Sequence, residues 1–301
     1  MPPDASATLD LPFVLDLNST LGPLQRGGED PTMRFESDRA WRAARTPQGP
    51  ATLRLACVST GLAVDAWGEG AAWAVAHVPD LLGFDDQPER FRPHKPLLRE
   101  LHRRHRGLRL GKTSLVFEAL LPTILEQKVP GVEAWRSYAA LVRGLGEPAP
   151  GDIGLFLPPS PRRLLATPYW AVHRFGIERR RFATIQAAAL HAAALERLAS
   201  VPGDEARRRL QSLPGVGPWS AAEVSLVALG DRDAVSVGDY HLPHQVAWAL
   251  AGRPRGDDAL MLQLLEPYRG HRARVLRLLT LGGIQAPRFG PRMRLRRIAR
   301  I

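Results

Sequence analysis

Residues 210–230 read LQSLPGVGPWSAAEVSLVALG, and this stretch decides the fold. The spacing predicts a helix ending at Leu213, the turn Pro214-Gly215-Val216-Gly217-Pro218, and a second helix starting near Trp219 with Ser220 in its first turn. Glycines at 215 and 217 let the backbone approach a surface closely and take conformations closed to other residues. A turn running into a helix also exposes free N–H groups at the positive end of the helix dipole, which makes an anion site. The same pattern fits a plain αα-hairpin, and spacing alone leaves both readings open. About twenty residues on comes Ala234-Val235-Ser236-Val237-Gly238-Asp239-Tyr240-His241-Leu242, an extended β-branched piece entering a helix that Asp239 opens. An Asp there either caps the helix or presents a carboxylate to a ligand.

The rest of the chain sets the context. Of 301 residues, 45% are hydrophobic and 24% charged, the balance of an ordinary globular protein. No apolar run reaches the length of a membrane helix, and the N-terminus lacks the basic and apolar regions of a secretory signal. Cys57 is the single cysteine, which excludes an intramolecular disulfide, a zinc site on paired cysteines and a four-cysteine iron–sulfur cluster. A reducing, cytoplasmic setting is expected. The net charge is +11, and all but three of the 41 basic residues are arginines. Residues 1–90 hold seven basic and thirteen acidic residues; the remainder holds thirty-four and seventeen. A basic C-terminal two-thirds behind an acidic first third points to a polyanion partner.

Residues 1–93 read as a small mixed α/β unit. Pro12–Leu17 is a strand candidate, and Thr52–Ser59 and Leu62–Trp67 form a hairpin through Thr60-Gly61. Ala71–Leu82 has helical spacing that Pro79 interrupts, and Gly83–Pro93 has the turn formers and clustered charge of a boundary. Over 94–285 apolar positions recur every three to four residues, predicting a mostly helical domain. Its helices are expected at Pro96–His105, Leu115–Gln127, Val132–Leu145, Pro161–Ala166, Glu178–Leu198, Asp204–Leu213, Ser220–Leu229, Leu242–Ala251, Asp257–Glu266 and Arg272–Leu281. Residues 286–301 form an Arg-rich tail whose charge suits phosphates. The fold class is therefore α+β, with an antiparallel sheet domain followed by a helical one.

LPGVGPWSA followed by VSVGDYH resembles the helix-hairpin-helix (HhH-GPD) DNA glycosylase superfamily, in the order helix, Gly-rich hairpin, helix, extended loop, Asp-opened helix. Phe117–Val129 (FEALLPTILEQKV) resembles the family's helix ending in a segment that faces DNA, Phe175–Ala183 its Gly-containing loop before the helix preceding the hairpin, and Leu265–Arg272 the Pro-aromatic-Arg segment after the catalytic helix. The strand–turn–strand–helix order of the first third resembles the extra domain of the 3-methyladenine DNA glycosylase II (AlkA) type. The resemblance covers nearly the whole chain.

It implies a monofunctional glycosylase excising alkylated purines in base excision repair, acting as a monomer on double-stranded DNA containing damaged bases in the cytoplasm, at the nucleoid. Asp239 would stabilise the oxocarbenium-like transition state. Trp219 stands where related lyases carry a lysine nucleophile, and with Tyr240 it would line the pocket of the flipped base. Gly215, Gly217 and Ser220 would hold a phosphate, Gln127 and Lys128 would enter the minor groove, and Arg269 and Arg272 would meet phosphates. Lys128 replaces the type's apolar wedge, and Arg277 stands near the place of its late pocket aromatic. No cofactor is implied beyond a monovalent cation, Na+ or K+, on the backbone carbonyls of Gln211, Leu213 and Val216. Two other readings stay open: a non-catalytic lesion-binding protein with the hairpin, and a glycosylase for an oxidised or deaminated base.

Overall fold

A computed structural model of the chain describes residues 1–59 and 61–287. Thr60 of the expected hairpin turn and nearly all of the Arg-rich tail lie outside the described residues. The N-terminal unit is a five-stranded antiparallel sheet of β1 (Ala5–Leu9), β2 (Met33–Glu36), β3 (Arg39–Thr46), β4 (Gly49–Val58) and β5 (Gly61–Trp67), in the order β1-β5-β4-β3-β2. Leu53 and Leu55 of β4 face the same side as Leu62, Val64 and Ala66 of β5, as a period of two requires. That face packs on Leu17 and Leu21 of α1 (Leu17–Leu21) and on α2 (Ala71–Ala76) and α3 (Val78–Leu81). Pro79 sits in the first turn of α3, so the interruption it predicts is a helix restart.

Two expectations are corrected here. Pro12–Leu17 is not a strand: Asp16 caps α1 by accepting from Ser19 N (3.0 Å) and Ser19 Oγ (2.6 Å), which turns the chain helical. The edge strand is Ala5–Leu9, paired from Ala5↔Ala66 to Leu9↔Leu62. β2 and β3 escaped the sequence reading because Arg39, Arg42 and Arg45 break the apolar pattern of β3. Two of them have distant partners: Arg42 pairs with Glu118, which also accepts from Arg45 N at 3.2 Å, and Arg45 pairs with Glu147 at 3.1 Å.

The helical region comprises α4 (Pro96–Arg104), α5 (Val116–Glu126), α6 (Gly131–Leu145), α7 (Pro161–Leu165), α8 (Tyr169–His173), α9 (Arg179–Leu190), α10 (Ala192–Glu196), α11 (Gly203–Leu210), α12 (Pro218–Leu229), α13 (Leu242–Ala251), α14 (Asp258–Leu265) and α15 (Arg272–Leu281). A two-stranded piece, β6 (Glu147–Pro148) and β7 (Phe156–Leu157), follows α6. The expected helix Glu178–Leu198 is broken at His191, whose backbone (φ −102°, ψ 13°) leaves the helical region. Helix α8, behind Pro168, was not foreseen.

The helices build two cores. One joins α5 to α12; the other joins α4 to α13, α14 and α15. Segment 230–241 crosses from the first to the second. The boundary segment Gly83–Pro93 is packed into the protein: Phe91 belongs to the second core, and the Asp86 side chain is fully buried. Asp86 accepts from Arg274 of α15 and from Leu110 N (2.9 Å), with Arg109 Nε at 4.0 Å and Arg232 Nε at 3.7 Å. Arg232 also donates to Asp85 O (2.6 Å). This hub ties the sheet unit to α15 and to the crossing segment. No helix among the described residues is long and apolar enough to cross a membrane.

Candidate functional site

Helix α11 ends at Leu210, and the hairpin closes through Leu213 N→Leu210 O (3.1 Å) and Val216 N→Leu213 O (3.0 Å). Gly215 has φ +87°, and a Cβ there would lie 2.2 Å from Thr184 Oγ1, so the turn demands glycine. Around Gly217 a Cβ would meet nothing. The protein's own packing therefore does not require glycine at 217, and the open space faces outward. Pro218 starts α12 with no side-chain cap, so the free N–H groups of this helix start point at that space.

Gln127, at the end of α5, braces the turn from behind: its Nε2 donates to Gly215 O and to Ser220 Oγ, both at 2.9 Å. Ser220 is 2% exposed. The expectation that its hydroxyl meets a phosphate is thus corrected: burial directs it at Gln127. Gln127 likewise has its amide group committed to the hairpin. The next residue, Lys128, is exposed and holds a left-handed backbone (φ +55°), so it forms the tip of this loop.

Asp239 is both the helix cap and a presented carboxylate. Its Oδ1 accepts from His241 N (2.7 Å) and Leu242 N (2.8 Å) at the start of α13, and its Oδ2 accepts from Trp219 Nε1 (2.9 Å). Three N–H donors thus converge on a carboxylate that acts here only as an acceptor. Its loop is pinned on both sides. Gly238 N donates to Asp258 (3.0 Å to Oδ2), and Ser236 Oγ donates to Glu223 Oε1. Trp219 is half-buried beside the carboxylate, whereas Tyr240 is 73% exposed with its ring edge-on to His241 and His244. The structure brings Trp219 to Asp239 and leaves Tyr240 on the rim.

Near Asp239 lies a cluster of charged groups that the sequence did not reveal. Trp219 and Glu223 share a face of α12; farther along that helix Leu226 and Val227, with Arg277 of α15, line a small cavity of about 30 Å3 that neither Glu223 nor Asp239 borders. Arg26, from the N-terminal unit, pairs with Glu126 of α5 (3.2 Å), which also accepts from Trp135 Nε1 (3.2 Å). Burial pushes the Glu223 carboxyl above the usual range; Glu126 and Asp239 add to this, while Ser236 and Arg26 oppose it. Burial also pushes the Arg277 guanidinium down to about 10, against the field of Glu223. Both residues keep some accessible surface and are not sealed in the core. The Nε–H groups of Arg26 and Arg277 are buried without a hydrogen-bond partner among the described residues. Arg26, Glu126 and Glu223 come from three distant parts of the chain, and no local motif could have flagged them.

Of the two arginines expected at phosphates, one is committed within the protein and the other is exposed. Arg272 is bound bidentately to Asp233 (Nε–Oδ1 2.8 Å, Nη2–Oδ2 2.6 Å), and Gly270 N donates to the same carboxylate. It is a structural clamp at the start of α15, which corrects its reading as a phosphate contact. Arg269 is exposed and paired with Glu266 (2.7 Å). Among the hairpin carbonyls, Leu213 O already accepts from Val216 N and keeps one lone pair, so the neutral donor set of Gln211, Leu213 and Val216 suits a monovalent cation.

No family model and no curated protein matches the chain. Solved structures do. It is similar to a 3-methyladenine DNA glycosylase from Archaeoglobus fulgidus at 23% identity and TM-score 0.77, covering 91% of this chain and 97% of that one. It is similar to an 8-oxoguanine glycosylase/lyase from Clostridium acetobutylicum at 13% identity and TM-score 0.69, covering 93% and 99%. The same enzyme, in complex with double-stranded DNA containing cytosine opposite 8-oxoguanine, aligns with TM-score 0.67 at 13% identity over 93% and 97%. The chain thus has the fold of the helix-hairpin-helix DNA glycosylases.

Proposed function

We propose that the chain is a monofunctional DNA glycosylase that removes damaged purines, alkylated ones foremost, from duplex DNA. The observation that carries this reading is the Asp239 carboxylate, held by two α13 N–H groups and Trp219 Nε1. When the bond between a purine and deoxyribose breaks, positive charge develops on the sugar, and a fixed carboxylate stabilises it. A nucleotide flipped out of the duplex would bring its sugar to Asp239. Trp219 offers an aromatic face beside the reacting bond, which favours an electron-poor alkylated base. It also occupies the position from which a lysine would attack the sugar. Lys112 is paired with Asp80 (3.3 Å) and Lys128 lies at a loop tip, so release of the base without strand cleavage is the expected outcome.

The uncapped start of α12 and the space over Gly217 suit a DNA phosphate, a cation on the hairpin carbonyls would steady that turn, and the basic C-terminal two-thirds attracts the duplex. One chain per lesion is the expected assembly. The charged groups around Glu223 favour a second reading, excision of a neutral oxidised or deaminated base. The test is base release from methylated duplex DNA, with freed bases separated by chromatography. Asp239→Asn should lower release by at least about a hundredfold while DNA affinity stays close to wild type. DNA binding without release of any base would make the protein a lesion binder and overturn the reading.

A further inference from the structure

Glu223 is a deeply placed carboxyl for which the chemistry above has no use. It lies one helical turn along α12 from Trp219, the residue that holds Asp239. Its Oε1 accepts from Ser236 Oγ, on the same loop as Asp239. The charged groups facing it are Asp239, Glu126 of α5, Arg26 of the N-terminal unit and Arg277 of α15. None forms an ion pair with it among the described residues. Its burial and the two neighbouring carboxyls outweigh Arg26 and favour the protonated form. Asp239, a few residues from Ser236, accepts from three N–H donors. Two neighbouring carboxyls in different environments can divide into an acid and a charge stabiliser.

We propose that Glu223 is a general acid that protonates a ring nitrogen of the flipped purine as the glycosidic bond breaks, extending excision to neutral damaged purines. This rests on the glycosylase reading and deepens it. Because Oε1 is occupied by Ser236, the proton resides on Oε2. As C1′–N9 breaks, its electron pair enters the purine ring, and the proton from Oε2 cancels the charge that would form there. The cationic sugar stands beside Asp239. Water adds its oxygen to C1′, and its released proton restores the Glu223 carboxyl. The products are the free base and an abasic sugar. A base already cationic through alkylation leaves without this proton.

The experiment measures single-turnover release by the full chain from duplexes carrying one hypoxanthine, which is neutral, or one 7-methylguanine, which is cationic. Wild type should release both. Glu223→Gln should lower hypoxanthine release by about a hundredfold or more relative to its effect on 7-methylguanine. The wild-type rate on hypoxanthine should fall as pH rises through the Glu223 titration; the 7-methylguanine rate should lack that limb. Should Glu223→Gln fail to fold, Ser236→Ala decides: losing a donor to the carboxylate should move the limb to higher pH. Equal losses on both bases, no such limb, or release of 7-methylguanine alone by wild type would overturn the general acid while sparing the glycosylase reading. Release of neither base, nor of any from methylated DNA, would remove that reading itself.

Discussion

The Asp86 hub offers the most direct test of how the two parts of the molecule are joined. Its side chain is fully buried, and Arg274 is 1% exposed. Asp86→Asn keeps the shape and an acceptor for Leu110 N but removes the charge, leaving Arg274 buried without its counter-ion. Breaking a buried pair from one side costs about 3–5 kcal/mol. Arg109 and Arg232 lie farther from the carboxylate, and Arg232 is partly solvated, so they place the expected loss near the lower end, about 3 kcal/mol. That is a large share of a stability of about 5–15 kcal/mol. Urea unfolding followed by circular dichroism should show a lower midpoint with an unchanged slope. Asp86→Asn combined with Arg274→Met should be less destabilised than the sum of the single changes by about 1 kcal/mol or more. A loss below about 1 kcal/mol, or strict additivity, would refute the hub as an electrostatic joint. Arg277 sits three residues beyond Arg274 on α15, so the same change should also disturb its position near Glu223.

Trp219→Phe removes one donor from the Asp239 carboxylate, worth about 1.5–3 kcal/mol, so base release should fall by about ten- to a hundredfold with DNA affinity retained; a change within about twofold refutes the contact's role. Gly215→Ala must push against Thr184 at φ +87° and should cost more than about 1 kcal/mol of stability, whereas Gly217→Ala should leave stability within about 0.5 kcal/mol of wild type. Both should weaken DNA binding, and a Gly217→Ala protein that binds normally would deny the hairpin its phosphate. Arg272→Ala should lower stability but leave the salt dependence of DNA binding unchanged, because its guanidinium is committed to Asp233; a shallower salt slope would restore it as a phosphate contact. Because the folded chain holds the Glu223 proton more tightly than the unfolded chain, that group's contribution to stability is present at low pH and is lost as pH rises from the ordinary carboxylate range. Glu223→Gln should remove that loss, so its stability advantage over wild type should grow with pH; a constant difference across pH would refute the shift.

The hairpin, the order of the elements and Asp239 were legible because each depends on a few neighbouring residues. Leu242–Ala251 and Arg272–Leu281 form helices with the ends their apolar spacing sets. Arginines misled the reading in two places. Those of β3 hid a strand, and Arg272 passed for a phosphate ligand. The counter-charges of Arg42 and Arg272 came from distant segments: Glu118 and Asp233. A carboxylate tens of residues away turns an apparently solvated arginine into a buried joint, and no local pattern reports it.

By itself the sequence determined a sheet unit ahead of a helical one, a Gly-rich turn before a helix, and a carboxylate at the start of the next, because helix starts and tight turns are local chemistry. Tertiary structure alone decided that Trp219 grips Asp239, that Ser220 and Gln127 brace the hairpin from within, and that Arg277 lies in the field of Glu223. The reason is physical: desolvation and pairing of charges depend on what surrounds a side chain in space, and residues 26, 126, 223, 239 and 277 become neighbours only when both cores have closed.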